Sequence, residues 1–199
     1  MRLVFETLSR RALPPEKSAP LLANGLKDAD RLQNLVESLL LAARLEDNWR
    51  PATEAVNFAE IARESAESLK VRFPNADIAL DFMQGGVWAQ ADKLGLTAVV
   101  YNLLENALKY APDGSPVHLK AAQKGGRLHF SVADQGRGIP DNEKQTVFEK
   151  FYRMGNEDTR ETTGTGLGLY IVSQVVKAHR GKVRILDNKP QGAIFEVEI

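Results

Sequence analysis

Between residues 21 and 46 the apolar positions recur with a seven-residue period. Leu22, Ala29, Val36 and Ala43 fall on one line, with Leu32 and Leu39 at the intermediate positions. That spacing keeps a single seam on one side of a helix. Leu35 and Leu40 widen the stripe beyond a two-stranded seam, which suits a helical bundle. Pro14 and Pro15 break the helical pattern upstream, Ser18 is placed to cap the long helix, and Pro20 falls in its first turn. Residues 2–12 read as a short piece of an earlier helix, so residues 1–50 form a partial α-helical hairpin. A hairpin this small cannot bury its own stripe. Packing on the rest of the chain is one way to cover it. A homodimeric four-helix bundle supplies more surface and is favoured.

After Pro51 the periodicity changes. Residues 55–58 read as a short strand, 59–73 as an amphipathic helix and 78–82 as an alternating strand. Asp92 is an N-cap for a helix running to about Tyr110, which buries Leu96, Val99, Val100, Leu103, Leu104 and Ala107. Residues 117–123 and 128–133 form a hairpin through Lys124-Gly125-Gly126. Residues 136–166 show little apolar periodicity except around 147–152. A helix spans 167–179 and ends at Gly181, and strands 182–186 and 193–199 close the chain. The fold class is α+β, a sheet with helices over residues 51–199 preceded by the helical hairpin.

Composition narrows the possibilities. With 199 residues, 43% hydrophobic and 26% charged, the chain has the make-up of a soluble globular protein. Its 26 basic residues balance 26 acidic ones, which argues against a nucleic-acid partner. The absence of cysteine removes disulfides, thiolate metal sites and cysteine nucleophiles. No apolar run approaches membrane-spanning length, so no membrane contact is expected of this chain.

Three segments carry the chemistry. Asn102, Asn106 and Lys109 share one helix face. Asparagine is a poor helix former, and its amide oxygen is a hard, neutral ligand for Mg²⁺, with a Lys beside it for phosphate. A solvated face with a Glu105–Lys109 pair is the bland alternative. Asp134-Gln135-Gly136-Arg137-Gly138-Ile139-Pro140 follows a strand directly. Glycines there let a ligand approach the backbone, and the carboxylate suits an exocyclic amine such as that of adenine; a plain turn is the alternative. Gly164-Thr165-Gly166-Leu167-Gly168 opens a helix, whose free N–H groups favour phosphate. Between the last two, residues 154–164 hold one apolar side chain and read as a lid that orders over ligand.

Together NLLENALKYAP, DQGRGIP, FEKFYR and TGTGLGLYIV resemble, in order, the four boxes of the sensor histidine kinase catalytic domain. That domain belongs to the ATPase superfamily shared with gyrase and Hsp90-type chaperones. The resemblance covers residues 51–199 and implies a two-layer α/β sandwich, the Bergerat fold, that binds ATP and Mg²⁺. It implies that Asn106 holds Mg²⁺, that Asn102 lies beside the phosphates and that Lys109 contacts them. Tyr110 packs near the adenine, Asp134 takes its amino group, and Gly136, Gly138 and Ile139 shape the pocket. Phe148, Phe151 and Tyr152 anchor the lid base, Arg153 lies near the phosphates, and Thr165, Gly166, Leu167 and Gly168 meet the triphosphate. Asn102, Lys109 and Arg153 are the catalytic candidates.

Hydrolysing members of the superfamily place a Glu base where this chain has Asn102. An amide cannot take a proton from water, which favours phosphoryl transfer to a protein acceptor. The expected activity is transfer of the γ-phosphate to a His on a dimerisation helix, for passage to a response regulator. The chain's three His residues, His118, His129 and His179, all lie outside residues 1–50. The resemblance therefore implies a truncated hairpin without its phosphoacceptor, unable to phosphorylate itself. It also implies a cytoplasmic location, with any membrane anchoring left to a longer parent. An anti-sigma-factor-type Ser kinase, or a purely regulatory ATP-binding module, is the alternative.

Overall fold

The computed structural model describes residues 14–46, 49–82, 86–154 and 164–199. The chain falls into two compact units, residues 1–43 and 44–199.

The first unit is described from residue 14, as one long helix. Helix α1 spans Pro15–Glu46. It starts three residues before the expected cap, Ser18, whose N–H bonds to the Pro14 carbonyl at 3.0 Å. The reason is that proline has no N–H to lose at a first helical position. Pro20 then lies inside the helix, where its missing donor leaves the carbonyl one turn back without its usual partner. Leu22, Leu32, Val36 and Leu39 of the seven-residue pattern are all exposed. The shorter helix expected over 2–12 lies outside the described residues.

The second unit is built on a mixed five-stranded sheet in the order β2-β4-β5-β7-β6: β2 (Asp77–Phe82), β4 (Pro116–Lys124), β5 (Arg127–Ala133), β6 (Lys182–Asp187) and β7 (Ala193–Glu198). Strands β2 and β4 run parallel and the other neighbours antiparallel. Side chains alternate as a half-buried sheet requires. Val117, Leu119, Leu128, Phe130, Val132, Phe195 and Val197 are buried. Lys120, Ser131, Glu196 and Arg184 sit abreast on the other face. A separate ribbon pairs β1 (Glu54–Asn57) with β3 (Trp88–Ala91). The sequence pattern did not predict β3; its four residues alternate between exposed and buried and owe their extended form to pairing more than thirty residues away.

Helices α2 (Phe58–Arg72), α3 (Lys93–Tyr110) and α4 (Gly168–Ala178) supply the other layer. Asn57 caps α2, its Oδ1 accepting from Ala59 N at 3.2 Å, and Asp92 caps α3, its Oδ1 accepting from Gly95 N at 2.8 Å. Phe58 anchors the junction of the layers, 4.8 Å between ring centres from Phe130 and edge-on to Phe82. On α3, Leu96, Val99, Val100, Leu103 and Leu104 are completely buried. Each contributes about 1.5–3 kcal/mol by transfer from water, and together they fix the rotation of the helix. Asn102, Asn106 and Lys109 consequently stand on the half-buried flank.

Candidate functional site

The site lies where α3 meets the start of α4 and the loop leaving β5. On α3, Asn102 Nδ2 donates to the Ala98 carbonyl at 2.8 Å. This fixes the amide orientation and turns Oδ1 toward Gly168, the first residue of α4. A Cβ at Gly168 would sit 2.6 Å from that oxygen. A larger residue there would push the Asn102 amide aside.

Among the described residues, no side chain caps the start of α4 at Leu167. Thr165 Oγ1 accepts from Leu167 N at 3.2 Å, and the Leu167 side chain is wholly buried. Leu167 can therefore offer a ligand only its backbone. The first N–H groups of a helix have no internal acceptor and carry its positive end. Beside them, Lys109 Nζ lies so close to Gly164 that a Cβ there would collide with it; the same ammonium stands 5.0 Å from the Tyr110 ring centre. The Asn106 side chain, one turn from Asn102, makes no hydrogen bond among the described residues. The Asn102 amide oxygen, the Lys109 ammonium and the first N–H groups of α4 thus come together, with Gly164 and Gly168 clearing the space.

The other end is built on Asp134, 6% exposed. Its Oδ1 accepts from Gly136 N at 2.8 Å and Ala193 N at 3.2 Å. Its Oδ2 has no hydrogen-bond partner among the described residues. Burial pushes the carboxyl pKa up, and the two backbone donors pull in the opposite direction without cancelling it. Gly136 packs on the end of α3, where a Cβ would lie 2.7 Å from the Tyr110 carbonyl oxygen. Tyr110 thereby meets the Asp134 loop through its backbone. Gly138 backs onto Gly192, 3.2 Å from a would-be Cβ to the Gly192 oxygen, and Ile139 follows, half-buried.

The intervening segment contains a 3-10 turn at Thr146–Phe148. Tyr152 Oη donates to Glu143 Oε2 at 3.0 Å, and this bond, with burial and the nearby carboxylates, raises the phenol pKa. Phe151 contributes its backbone: its N–H bonds to the Gly166 carbonyl at 3.0 Å, and its ring is exposed. Phe148 and Arg153 are half-buried in the same segment. Residues 155–163, most of the expected lid, lie outside the described residues.

Two features escaped the sequence reading. The turn between β6 and β7 straps the Asp134 loop: Asn188 Nδ2 donates to the Asp134 carbonyl at 2.7 Å, and Gln191 Nε2 to the Gln135 carbonyl at 3.1 Å. The segment Asn-Lys-Pro-Gln-Gly is legible as a turn, but its partner is 54 residues away. His179 has a structural task. Its Nε2 accepts from Asp92 N at 3.0 Å while Nδ1 lies 2.8 Å from the Val175 carbonyl, tying the end of α4 to the start of α3.

The open face of the sheet holds a separate depression of about 660 Å³ lined by Asp81, Lys120, His129, Arg184 and Glu196 among others. Arg184 is paired with Glu196 at 2.9 Å and Lys120 with Asp81 at 3.9 Å, so much of its charge is internally matched. Among the described residues, no group of three or more His, Asp or Glu could hold a metal. An ion at this site would depend on amide and ligand oxygens, which suits the unpartnered Asn106.

Helices on one face of a mixed sheet, with an acid–glycine loop and a glycine-opened helix start, suit a nucleotide-binding domain. The chain belongs to the histidine kinase-, DNA gyrase B- and HSP90-like ATPase family, whose sequence profile matches residues 91–199. Within that family its relatives are sensor histidine kinases. The whole chain aligns at 30% identity with the sensor-like histidine kinase SenX3 of Mycolicibacterium smegmatis, covering 52% of it. It is 36% identical over 181 residues to the histidine-protein kinase/phosphatase MprB of Mycobacterium tuberculosis, covering 90% of this chain and 35% of that one. The chain thus spans between a third and a half of these relatives. Among solved structures, a mycobacterial MprB superposes with a TM-score of 0.65 at 31% identity, covering 74% of this chain and 97% of that one. Full-length ShkA in complex with AMPPNP gives 0.76 at 29%, covering 96% and 40%.

Proposed function

We propose that this chain is the catalytic, ATP-binding portion of a two-component sensor histidine kinase, donating the γ-phosphate of Mg-ATP to a His for onward transfer to a response regulator Asp. The observation that carries this reading is the approach of Asn102 Oδ1 to Gly168 at the start of α4 and of Lys109 Nζ to Gly164 just before it. An anion at that helix start would meet backbone N–H groups and an ammonium. The open Oδ2 of Asp134 suits an exocyclic amine. Asn106 would hold Mg²⁺, which would offset phosphate charge when bound. Asn102, Lys109 and Arg153 are proposed to act on the phosphates, and Tyr110, Gly136, Gly138 and Ile139 to bound the base pocket. Phe148, Phe151 and Tyr152 form the base of the proposed lid, and Thr165, Gly166, Leu167 and Gly168 supply backbone to the triphosphate.

The choice of transfer over hydrolysis rests on Asn102, which cannot act as a base. Residues 1–50 contain no His, so the acceptor is proposed to lie on another polypeptide segment. The exposed stripe of α1 suits pairing with a second copy. No helix among the described residues is long and apolar enough to cross a membrane; a cytoplasmic site of action is proposed from the likeness to sensor histidine kinases alone.

Labelling with γ-labelled Mg-ATP tests the proposal. A phosphoacceptor hairpin from a sensor histidine kinase, supplied in trans, should acquire acid-labile, base-stable label while this chain acquires none. Acid-labile label on this chain would refute the missing acceptor. Acid-stable label on a Ser would favour the Ser-kinase alternative.

A further inference from the structure

We propose that Asn188 is a positioning residue for base selectivity: it sets Asp134 so that the open carboxylate oxygen discriminates a purine bearing an exocyclic amine from one without it. The inference rests on the reading of Asp134 as the base-recognising group and extends it to the strap that holds that group in place.

The β6–β7 turn is fastened to the Asp134 loop at several points. Asn188 uses both ends of its amide. Nδ2 donates to the Asp134 carbonyl at 2.7 Å, and Oδ1 accepts from Lys189 N at 3.0 Å. Its backbone N–H closes the turn on the Gly192 carbonyl at 3.0 Å. Gly192 has φ +117°, and a Cβ there would collide with the Asp134 carbonyl oxygen. The turn therefore lies against the Asp134 backbone with no side chain between. Gln191 adds its bond to the Gln135 carbonyl. Ala193 accepts at its carbonyl from Asp134 N at 3.0 Å and donates its own N–H to Asp134 Oδ1.

The consequence is directional. Gly136 N and Ala193 N grip one carboxylate oxygen, which leaves the other as the group's open acceptor. Ala193 is paired with Asp187 and bonded through its carbonyl to Asp134 N, and the turn before it is pinned to the Asp134 carbonyl by Asn188, which sets the approach of its N–H to Oδ1. Asn188 touches no proposed ligand position, so it acts through Asp134. A side chain without a donor at residue 188 would release the carbonyl, let Ala193 shift and loosen the carboxylate's aim. Bonds made by the triphosphate at the start of α4 would be unaffected.

The test compares affinities for Mg-ATP and for the Mg complex of purine riboside triphosphate, which lacks the exocyclic amine. Titrations would use the full chain as wild type, Asp134→Asn and Asn188→Asp. The substitution at 188 keeps size and acceptor and removes the donor. The expected result is a wild-type preference for ATP that Asp134→Asn abolishes. Asn188→Asp should weaken ATP about fivefold, as for one lost hydrogen bond, and leave the amine-free nucleotide within about twofold. A merely structural role would weaken both nucleotides alike. Equal loss, or no loss, in Asn188→Asp alongside a collapsed preference in Asp134→Asn overturns the positioning role. An intact preference in Asp134→Asn instead removes the reading of Asp134 itself. Should Asn188→Asp prove unfolded by circular dichroism, Asn188→Ser, shorter and uncharged, decides the matter: selective loss of ATP supports the proposal and equal loss overturns it.

Discussion

Asp134 illustrates how a single residue can be costly to the fold and useful to the site. Its carboxyl is buried beside two backbone donors that serve one oxygen, and desolvation still lifts its pKa above the ordinary 3.8. A raised folded-state pKa has a definite sign in stability: the favourable contribution is present below 3.8 and is lost as pH rises through the lifted value. Asparagine keeps an acceptor for both N–H groups and takes no charge. Asp134→Asn should therefore stabilise the ligand-free chain at neutral pH, with the gain narrowing as pH falls toward 3.8. Thermal melts across that range check it, and a gain that does not change with pH would contradict the assignment. Ser65 presents the simpler case of a cost without a partner. Its Oγ is buried and has no hydrogen-bond partner among the described residues. Ser65→Ala should raise stability by about 1 kcal/mol in denaturant unfolding; a loss of that size would mean the hydroxyl has a partner.

At the scale of elements, the site depends on the register between α3 and α4. Leucine and valine positions on α3 decide which way Asn102 faces, and Gly168 lets the start of α4 reach it. Gly168→Ala places a Cβ in that gap but favours helix by up to about 1 kcal/mol. Stability should hold while nucleotide affinity falls by about tenfold or more. Unchanged affinity would show that the gap is not part of the site. The periodic elements were legible in the sequence because burial imposed their pattern: α3 with its Asp92 cap, the β4–β5 hairpin, and the closing hairpin. Strand β3 was not, since four residues hold too little pattern and the pairing partner is distant. The early start of α1 was missed because Pro15 reads as a breaker until its place in the first turn is known. The site residues on α3, after β5 and before α4 were legible as three separate motifs. The strap from Asn188 and the tie made by His179 were not, because contacts between distant segments leave no local periodicity.

For the whole molecule, the membership of the family and the geometry of residues 44–199 point the same way. On the proposed reading, Asp134 with its open oxygen and the start of α4 receive the two ends of one elongated nucleotide, and α3, carrying Tyr110, Lys109, Asn106 and Asn102, runs between them. The measurement that tests this most directly is a calorimetric titration of the chain with ATP, with and without Mg²⁺, for wild type and Asn106→Ala. The account predicts saturable binding of one nucleotide per chain, tightened by Mg²⁺ in the wild type and insensitive to it in Asn106→Ala. No saturable binding, or a Mg²⁺ dependence that survives the substitution, would contradict it.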